Sequence, residues 1–142
     1  MQQLKHDCEG VILTCIDFRL WERAAVLEQI KQKAGISSFD VVSLAGGTRN
    51  LVDEKTRELI LSQIEISTRL HHSTTVVLTN HTTCGAYGEA GTRERLIEDL
   101  QLAASIISER FPQLEVCLLL VDITASDVWE INSEALEVPV AA

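Results

Sequence analysis

The chain has 142 residues, of which 46% are hydrophobic, and a formal net charge of −9 at pH 7. This length predicts a single domain over residues 1–142, the composition excludes a disordered chain, and the acidic balance excludes a nucleic-acid-binding surface, which needs clustered Lys and Arg. The longest apolar run, residues 116–121, is far too short to span a membrane and the N-terminal residues lack a secretory signal, so we expect a cytoplasmic protein without a membrane partner.

Strand-like and helix-like segments alternate along the chain. A short apolar run at residues 10–15 predicts the first strand. Residues 20–34 carry apolar side chains at helical spacing and predict a helix that Gly35 ends. Residues 40–44 predict the second strand, so the first third of the chain has the pattern strand, helix, strand.

The rest of the chain repeats this alternation after a glycine turn at residues 45–47. The predicted elements are, in chain order, a helix from its N-cap Asp53 to about residue 70, a strand at residues 75–79, a helix over about residues 92–111, a strand at residues 115–121 and a short edge strand after residue 122. Strands separated by helices of this length form βαβ units. The sequence therefore predicts an α/β fold with a mostly parallel four-stranded sheet flanked by helices and a short edge strand at the C-terminus.

Two short motifs contain candidate metal ligands. Cys15 begins the segment C-I-D-F-R, and His81 and Cys84 bound the segment H-T-T-C. Two thiols and one imidazole suit a tetrahedral zinc ion, and three protein ligands leave a fourth position open, as in catalytic zinc sites. Cys15 lies at the carboxyl end of the first predicted strand, and the other two lie just beyond the third. The three side chains therefore converge if these strands are neighbours in the sheet.

The remaining candidate residues have a functional and a structural interpretation. Gly46 and Gly47 could let the backbone approach a pocket, or they could form a plain tight turn. Tyr87 could line that pocket or an interface, or it could have a half-buried packing role. For five other residues we expect one role each. Asn80 and Thr82 are candidates for hydrogen bonds that orient His81, His71 and His72 are expected to be solvated at a helix end, and Cys117 is expected to be a core thiol.

The motifs C-x-D-x-R and H-x-x-C-G, with an A-G-G turn between them, resemble the β-class carbonic anhydrases over nearly the whole chain. The resemblance implies zinc held by Cys15, His81 and Cys84, with Asp17 and Arg19 as a catalytic dyad. It implies reversible hydration of carbon dioxide, a small-molecule substrate, to bicarbonate by attack of zinc-bound hydroxide. It also implies a homodimer or higher homo-oligomer with pockets at the subunit interface.

The chain departs from this family at Phe18, where members usually have a small residue, often Ser. Together with Phe18, the glycines Gly46, Gly47 and Gly85 are the predicted lining of the substrate pocket. A reshaped pocket leaves open the hydrolysis of carbonyl sulfide or carbon disulfide at the same zinc site. A third interpretation is a non-catalytic zinc-binding or thiol-sensing domain, in which Asp17 and Arg19 form an ordinary salt bridge at a strand end.

Overall fold

In the part of the chain that the computed structural model describes, residues 5–22 and 24–133, five strands form one sheet. The strands are β1 (Gly10–Thr14), β2 (Phe39–Ser43), β3 (Thr75–His81), β4 (Glu115–Asp122) and β5 (Asp127–Ile131). Their order in the sheet is β2-β1-β3-β4-β5, with β1 to β4 parallel and β5 antiparallel to β4. The predicted α/β class, with its mostly parallel sheet and C-terminal edge strand, is confirmed.

Helices cover both faces of this sheet. They are α1 (Arg19–Glu22), α2 (Ala24–Ala34), α3 (Arg49–Val52), α4 (Glu54–His71) and α5 (Arg93–Arg110). Because the crossovers are right-handed, α2 lies on one face of the sheet, where it contacts β4 and β5. Helices α4 and α5 lie on the other face, and α3 packs against these two helices. No helix within the described ranges has the length and apolar character needed to cross a membrane.

Capping residues set one end each of α2, α4 and α5. The Asp53 side chain accepts a hydrogen bond from the backbone N–H of Lys55 at the start of α4, as predicted. Gly35, at φ +69°, ends α2 in the left-handed conformation that favours glycine. Thr92 caps α5 by accepting from the N–H of Arg95.

Two features differ from the prediction. Strand β3 extends to His81, because β4 runs alongside it and pairs His81 with Val121. The expectation that His81 lies beyond the strand is therefore wrong, since the imidazole belongs to the last residue of β3. The helix α3 was not predicted, because four residues are too few to show a helical period.

The reversal of strand order next to β1 positions the candidate site. The chain moves from β1 to β2 on one side and then crosses to β3 on the other side of β1. In open α/β sheets such a switch point leaves a crevice at the carboxyl ends of the strands. Cys15 follows β1 directly and His81 ends β3, so both lie at this crevice, and every residue of the two strands is buried.

Candidate metal centre

The structure brings together Cys15, His81 and Cys84 at the carboxyl ends of β1 and β3. One donor atom from each residue lies within 4.8 Å of the other two, and all three residues are buried. The two sulfur atoms are 3.9 Å apart. Two thiolates bound to one tetrahedral zinc at about 2.3 Å are about 3.8 Å apart, so this spacing fits a shared ion without rearrangement.

The tautomer of His81 also suits a metal ligand. Its Nδ1 lies 2.7 Å from the backbone carbonyl oxygen of Thr82, and because a carbonyl only accepts, Nδ1 carries the proton. Nε2 is then a bare lone-pair nitrogen, buried and without a hydrogen-bond partner among the described residues. An orphaned acceptor of this kind is costly to bury unless a ligand satisfies it. Thr82 thus orients His81 as predicted, although it uses its carbonyl and not its side chain.

The electrostatics of the two thiols differ. Burial alone would raise the pKa of Cys15, but the neighbouring His81 ring and hydrogen bonds from the backbone N–H groups of Gly46 and Asp17 outweigh it and lower that pKa. Burial, assisted by the neighbouring sulfur of Cys15, raises the pKa of Cys84. The protein therefore favours the thiolate form of Cys15 and the neutral thiol form of Cys84, and a bound cation would favour the thiolate of both.

Asp17 and Arg19 form a clamp beside the three donors. Nη2 of Arg19 lies 2.6 Å from Oδ2 of Asp17, Nε lies 3.0 Å from Oδ1, and the backbone N–H of Arg19 also donates to Oδ1. The guanidinium lowers the pKa of Asp17 to about 2, so this carboxylate is ionised at neutral pH. Oδ2 of Asp17 is 3.7 Å from Nε2 of His81, which puts the carboxylate beside the three candidate ligands.

Thr83 is a residue of this site that the sequence analysis missed. Nη1 of Arg19 donates to its hydroxyl at 3.1 Å, and Nη2 donates to its carbonyl oxygen at 3.0 Å. Arg19 therefore joins the C-I-D-F-R segment to the H-T-T-C segment. Thr83 also has a positive φ of 56°, which presents its carbonyl to the guanidinium. Its place inside the H-x-x-C spacing was the one sequence signal available.

The predicted pocket residues separate into two groups. Gly46 donates its N–H to the sulfur of Cys15 at 3.4 Å, and a Cβ on Gly47, whose φ is +53°, would lie 2.6 Å from the carbonyl oxygen of Thr79. These two glycines therefore let a backbone turn pack directly against the candidate site. Gly85 and Phe18 are exposed, with Phe18 66% accessible within one chain.

Asn80 supports the glycine turn and not the imidazole. Its Oδ1 accepts from both the N–H and the hydroxyl of Thr48, and its Nδ2 donates to the carbonyl of Leu96. The expectation that Asn80 orients His81 is wrong, because alternate side chains of a strand point to opposite faces and Asn80 faces α3 and α5. Asn80 instead holds the start of α3, and hence the turn before it, against β3.

Three further candidates have structural environments. Tyr87 is buried and donates its hydroxyl to Asp99 at 2.6 Å, which favours the packing interpretation. Cys117 is partly buried and packs against the core, as expected of a core thiol. His72 is exposed as expected, but His71 is partly buried with Nδ1 2.7 Å from Oδ2 of Asp40, so it is not simply solvated.

Comparison with known proteins identifies the family. The family model described as "Putative carbonic anhydrase" matches residues 5–133. An uncharacterized protein of Rickettsia bellii is 35% identical over 124 residues, which is 78% of this chain and 74% of that protein.

Solved structures share the fold at low sequence identity. A carbonic anhydrase from Streptococcus mutans has a TM-score of 0.65 at 17% identity, covering 93% of this chain and 87% of that one. A carbon disulfide hydrolase has a TM-score of 0.56 at 12% identity, covering 98% of this chain and 86% of that one. Since the family model spans most of its length, the chain belongs to the "Putative carbonic anhydrase" family and has the fold of the β-carbonic anhydrases.

Proposed function

We propose that the protein is a zinc-dependent enzyme that reversibly hydrates carbon dioxide to bicarbonate. Cys15, His81 and Cys84 would hold the zinc, with Asp17 and Arg19 as the catalytic dyad. The observation that carries this proposal is the convergence of three buried donors, one of them the unpartnered Nε2 of His81, beside a clamped carboxylate. When bound, zinc would supply the Lewis acidity that turns water into a nucleophile near neutral pH.

The role of Asp17 follows from its ionisation and position. An ionised carboxylate accepts hydrogen bonds and donates none, so it can bind the hydrogen of the attacking water and leave a lone pair facing the substrate carbon. Its Oδ2 is 3.7 Å from Nε2 of His81, close enough to reach a water on the open side of the centre. Asp17 therefore orients the nucleophile, and the proton released when water becomes hydroxide passes to buffer and not to Asp17.

Arg19 keeps that carboxylate in place. It donates to both oxygens of Asp17 through Nε and Nη2, and its Nη atoms are also bonded to Thr83 across the site. A planar fork bound on two sides restricts Asp17 to one orientation and keeps it from becoming a further metal ligand. A lysine, with a single ammonium group, cannot make this arrangement.

Hydrolysis of carbonyl sulfide or carbon disulfide is the second candidate function. The exposed Phe18 lies one residue from Asp17 and adds an apolar surface that a sulfur-containing substrate would favour. A carbon disulfide hydrolase shares the fold, which supports testing this chemistry. The two candidates use the same centre and differ in substrate.

The proposal includes a homodimer or higher homo-oligomer. Ile16 is 62% exposed, Phe18 66% and Trp21 41%, so an apolar surface borders the candidate centre within one chain. Such a surface is typical of a protein interface, and a partner there would complete the predicted pocket with Gly46, Gly47 and Gly85. Light scattering coupled to gel filtration tests this directly, and a monomer at micromolar concentration would contradict it.

We also propose a cytoplasmic location. All four cysteines are free thiols, and a site built from two thiols needs a reducing compartment to remain able to bind metal. Fractionation of cells expressing a tagged protein tests this, and recovery outside the cytoplasm would contradict it.

The test of function is a comparison of substrates on one preparation. Carbon dioxide hydration is followed by stopped flow, hydrogen sulfide release from carbonyl sulfide and carbon disulfide is measured in parallel, and metal content is determined on the same sample. We expect zinc-dependent hydration, lost in Cys84→Ser together with the zinc. Sulfide release without hydration would favour the second candidate, and zinc binding with no turnover of any substrate would indicate a non-catalytic zinc protein.

A further inference from the structure

A second cluster of side chains of the types that bind metals lies at the opposite end of the parallel strands from the candidate centre. Cys8 precedes β1, Asp40 is the second residue of β2, and His71 is the last residue of α4, which leads into β3. All three therefore lie where the parallel strands begin, whereas Cys15 and its partners lie where they end. Because the chain between Cys8 and Cys15 runs along the extended strand β1, these two residues lie roughly 20 Å apart.

The donor atoms of this cluster are already assembled. One donor atom from each of Cys8, Asp40 and His71 lies within 4.8 Å of the other two, the same criterion that the first centre meets. The N–H of Cys8 donates to the carbonyl oxygen of His71 at 3.0 Å, which fixes the cysteine against the end of α4. All three residues are partly buried, so the donors are shielded but an ion can still reach them.

Two buried hydroxyls support the cluster from behind. Ser67 donates to Oδ2 of Asp40 at 2.7 Å and also contacts Ser73 at 2.7 Å, and Ser73 lies 3.3 Å from the sulfur of Cys8. Both serines are at most 4% exposed. Hydrogen-bonding partners of this kind orient metal ligands and are a regular feature of metal sites.

We propose that Cys8, Asp40 and His71 bind a second zinc ion, independently of the first centre. Sulfur, imidazole nitrogen and carboxylate oxygen together suit zinc, whereas magnesium and calcium prefer oxygen ligands alone. A thiolate and a carboxylate supply two negative charges against the charge of the ion. The ring of His6 meets that of His71 edge-on, with centroids 5.2 Å apart, and places another imidazole beside the cluster.

Zinc at this position would stabilise the folded chain. It would join the segment before β1, the start of β2 and the end of α4, which are three separate parts of the chain. The 2.7 Å contact between Nδ1 of His71 and Oδ2 of Asp40 is a hydrogen bond that an ion would replace. Binding that occurs only in the folded state raises the free energy of unfolding with zinc concentration.

The test is zinc stoichiometry of the full chain, measured by titration against a chromophoric chelator and by elemental analysis. We expect two zinc ions per wild-type chain and one in both Cys8→Ser and His71→Asn. The matched controls are His72→Asn, the exposed neighbouring imidazole, and Cys117→Ser, a cysteine elsewhere in the sheet, and both should keep two. Stoichiometry in Cys8→Ser and His71→Asn equal to that of the wild type, at micromolar free zinc, would overturn the proposal.

A second measurement separates this site from the first. In the double variant Cys15→Ser/Cys84→Ser, added cobalt should still give a thiolate-to-cobalt charge-transfer band, and further replacement of Cys8 by Ser should abolish it. Absence of the band in the folded double variant, with native circular dichroism, would contradict a second site. Neither measurement depends on turnover, so failure here is distinguishable from failure of the proposed function.

Discussion

Replacing Gly47 with alanine tests how closely the glycine turn is packed against the candidate metal centre. The residue has a φ of +53°, and an added Cβ would lie 2.6 Å from the backbone carbonyl oxygen of Thr79 and 3.0 Å from Oδ1 of Asn80. Thr79 belongs to β3 and cannot move without disturbing its pairing with β4. The turn itself must therefore shift, and with it the N–H of Gly46 that donates to Cys15.

The expected cost has two parts. A left-handed conformation costs a residue with a Cβ about 1–2 kcal/mol, and the forced displacement of packed backbone adds about 1–3 kcal/mol. Gly35→Ala is the matched control, because Gly35 has a φ of +69° but an added Cβ there would meet nothing within 4 Å. Gly35→Ala should therefore lower the free energy of unfolding only by the cost of the left-handed conformation. The difference between the two variants isolates the close approach, at about 1–3 kcal/mol.

Urea denaturation followed by circular dichroism gives the free energies of unfolding, and zinc affinity is measured on the same proteins. We expect Gly47→Ala to unfold more easily than Gly35→Ala and to bind zinc at least about tenfold more weakly, which corresponds to about 1.4 kcal/mol. Gly35→Ala should bind zinc like the wild type. Equal stability of the two variants, with equal zinc affinity, would refute the claim that the turn supports the centre.

Two further predictions concern the side chain of Arg19 and a core thiol. Arg19→Lys keeps the charge but loses the fork that holds Asp17, so carbon dioxide hydration should fall by about 10²-fold while zinc content stays unchanged; full activity would exclude the clamp. Burial raises the pKa of Cys117 to about 11, whereas an unfolded thiol ionises near pH 8.5, so ionisation of the unfolded chain should lower the free energy of unfolding between about pH 8.5 and pH 11. Urea denaturation at pH 8 and pH 10 should show a smaller decrease for Cys117→Ala than for the wild type, and equal decreases would exclude this cause.

The sheet could be predicted from the sequence because β1, β3 and residues 118–121 of β4 are buried and therefore form apolar runs. The same logic failed at the end of β3, where Asn80 and His81 are polar but buried. Asn80 can be buried because its amide is hydrogen-bonded to Thr48, just before α3, and to Leu96 in α5. Residue-by-residue polarity does not reveal bonds of this kind.

The candidate metal ligands could be predicted from the sequence, whereas the contacts that support them could be predicted less well. Cys15, His81 and Cys84 stand out because donor type and strand-end position agree. The hydrogen bonds from Arg19 to Thr83 depend on how two loops pack together and on the positive φ of Thr83. No local sequence pattern predicts this packing. The same holds for His71, whose partner Asp40 belongs to a different element.

The most direct test of the central claim is carbon dioxide hydration by zinc-loaded wild type and Asp17→Asn at equal zinc content. Asparagine keeps the size of the side chain but loses the charge that Arg19 binds and that, in the proposed mechanism, orients the attacking water. A catalytic centre built as proposed predicts that Asp17→Asn retains zinc and loses turnover by about 10²-fold or more. Equal hydration rates per bound zinc would contradict the role of Asp17, and no hydration by either protein would contradict the proposed function.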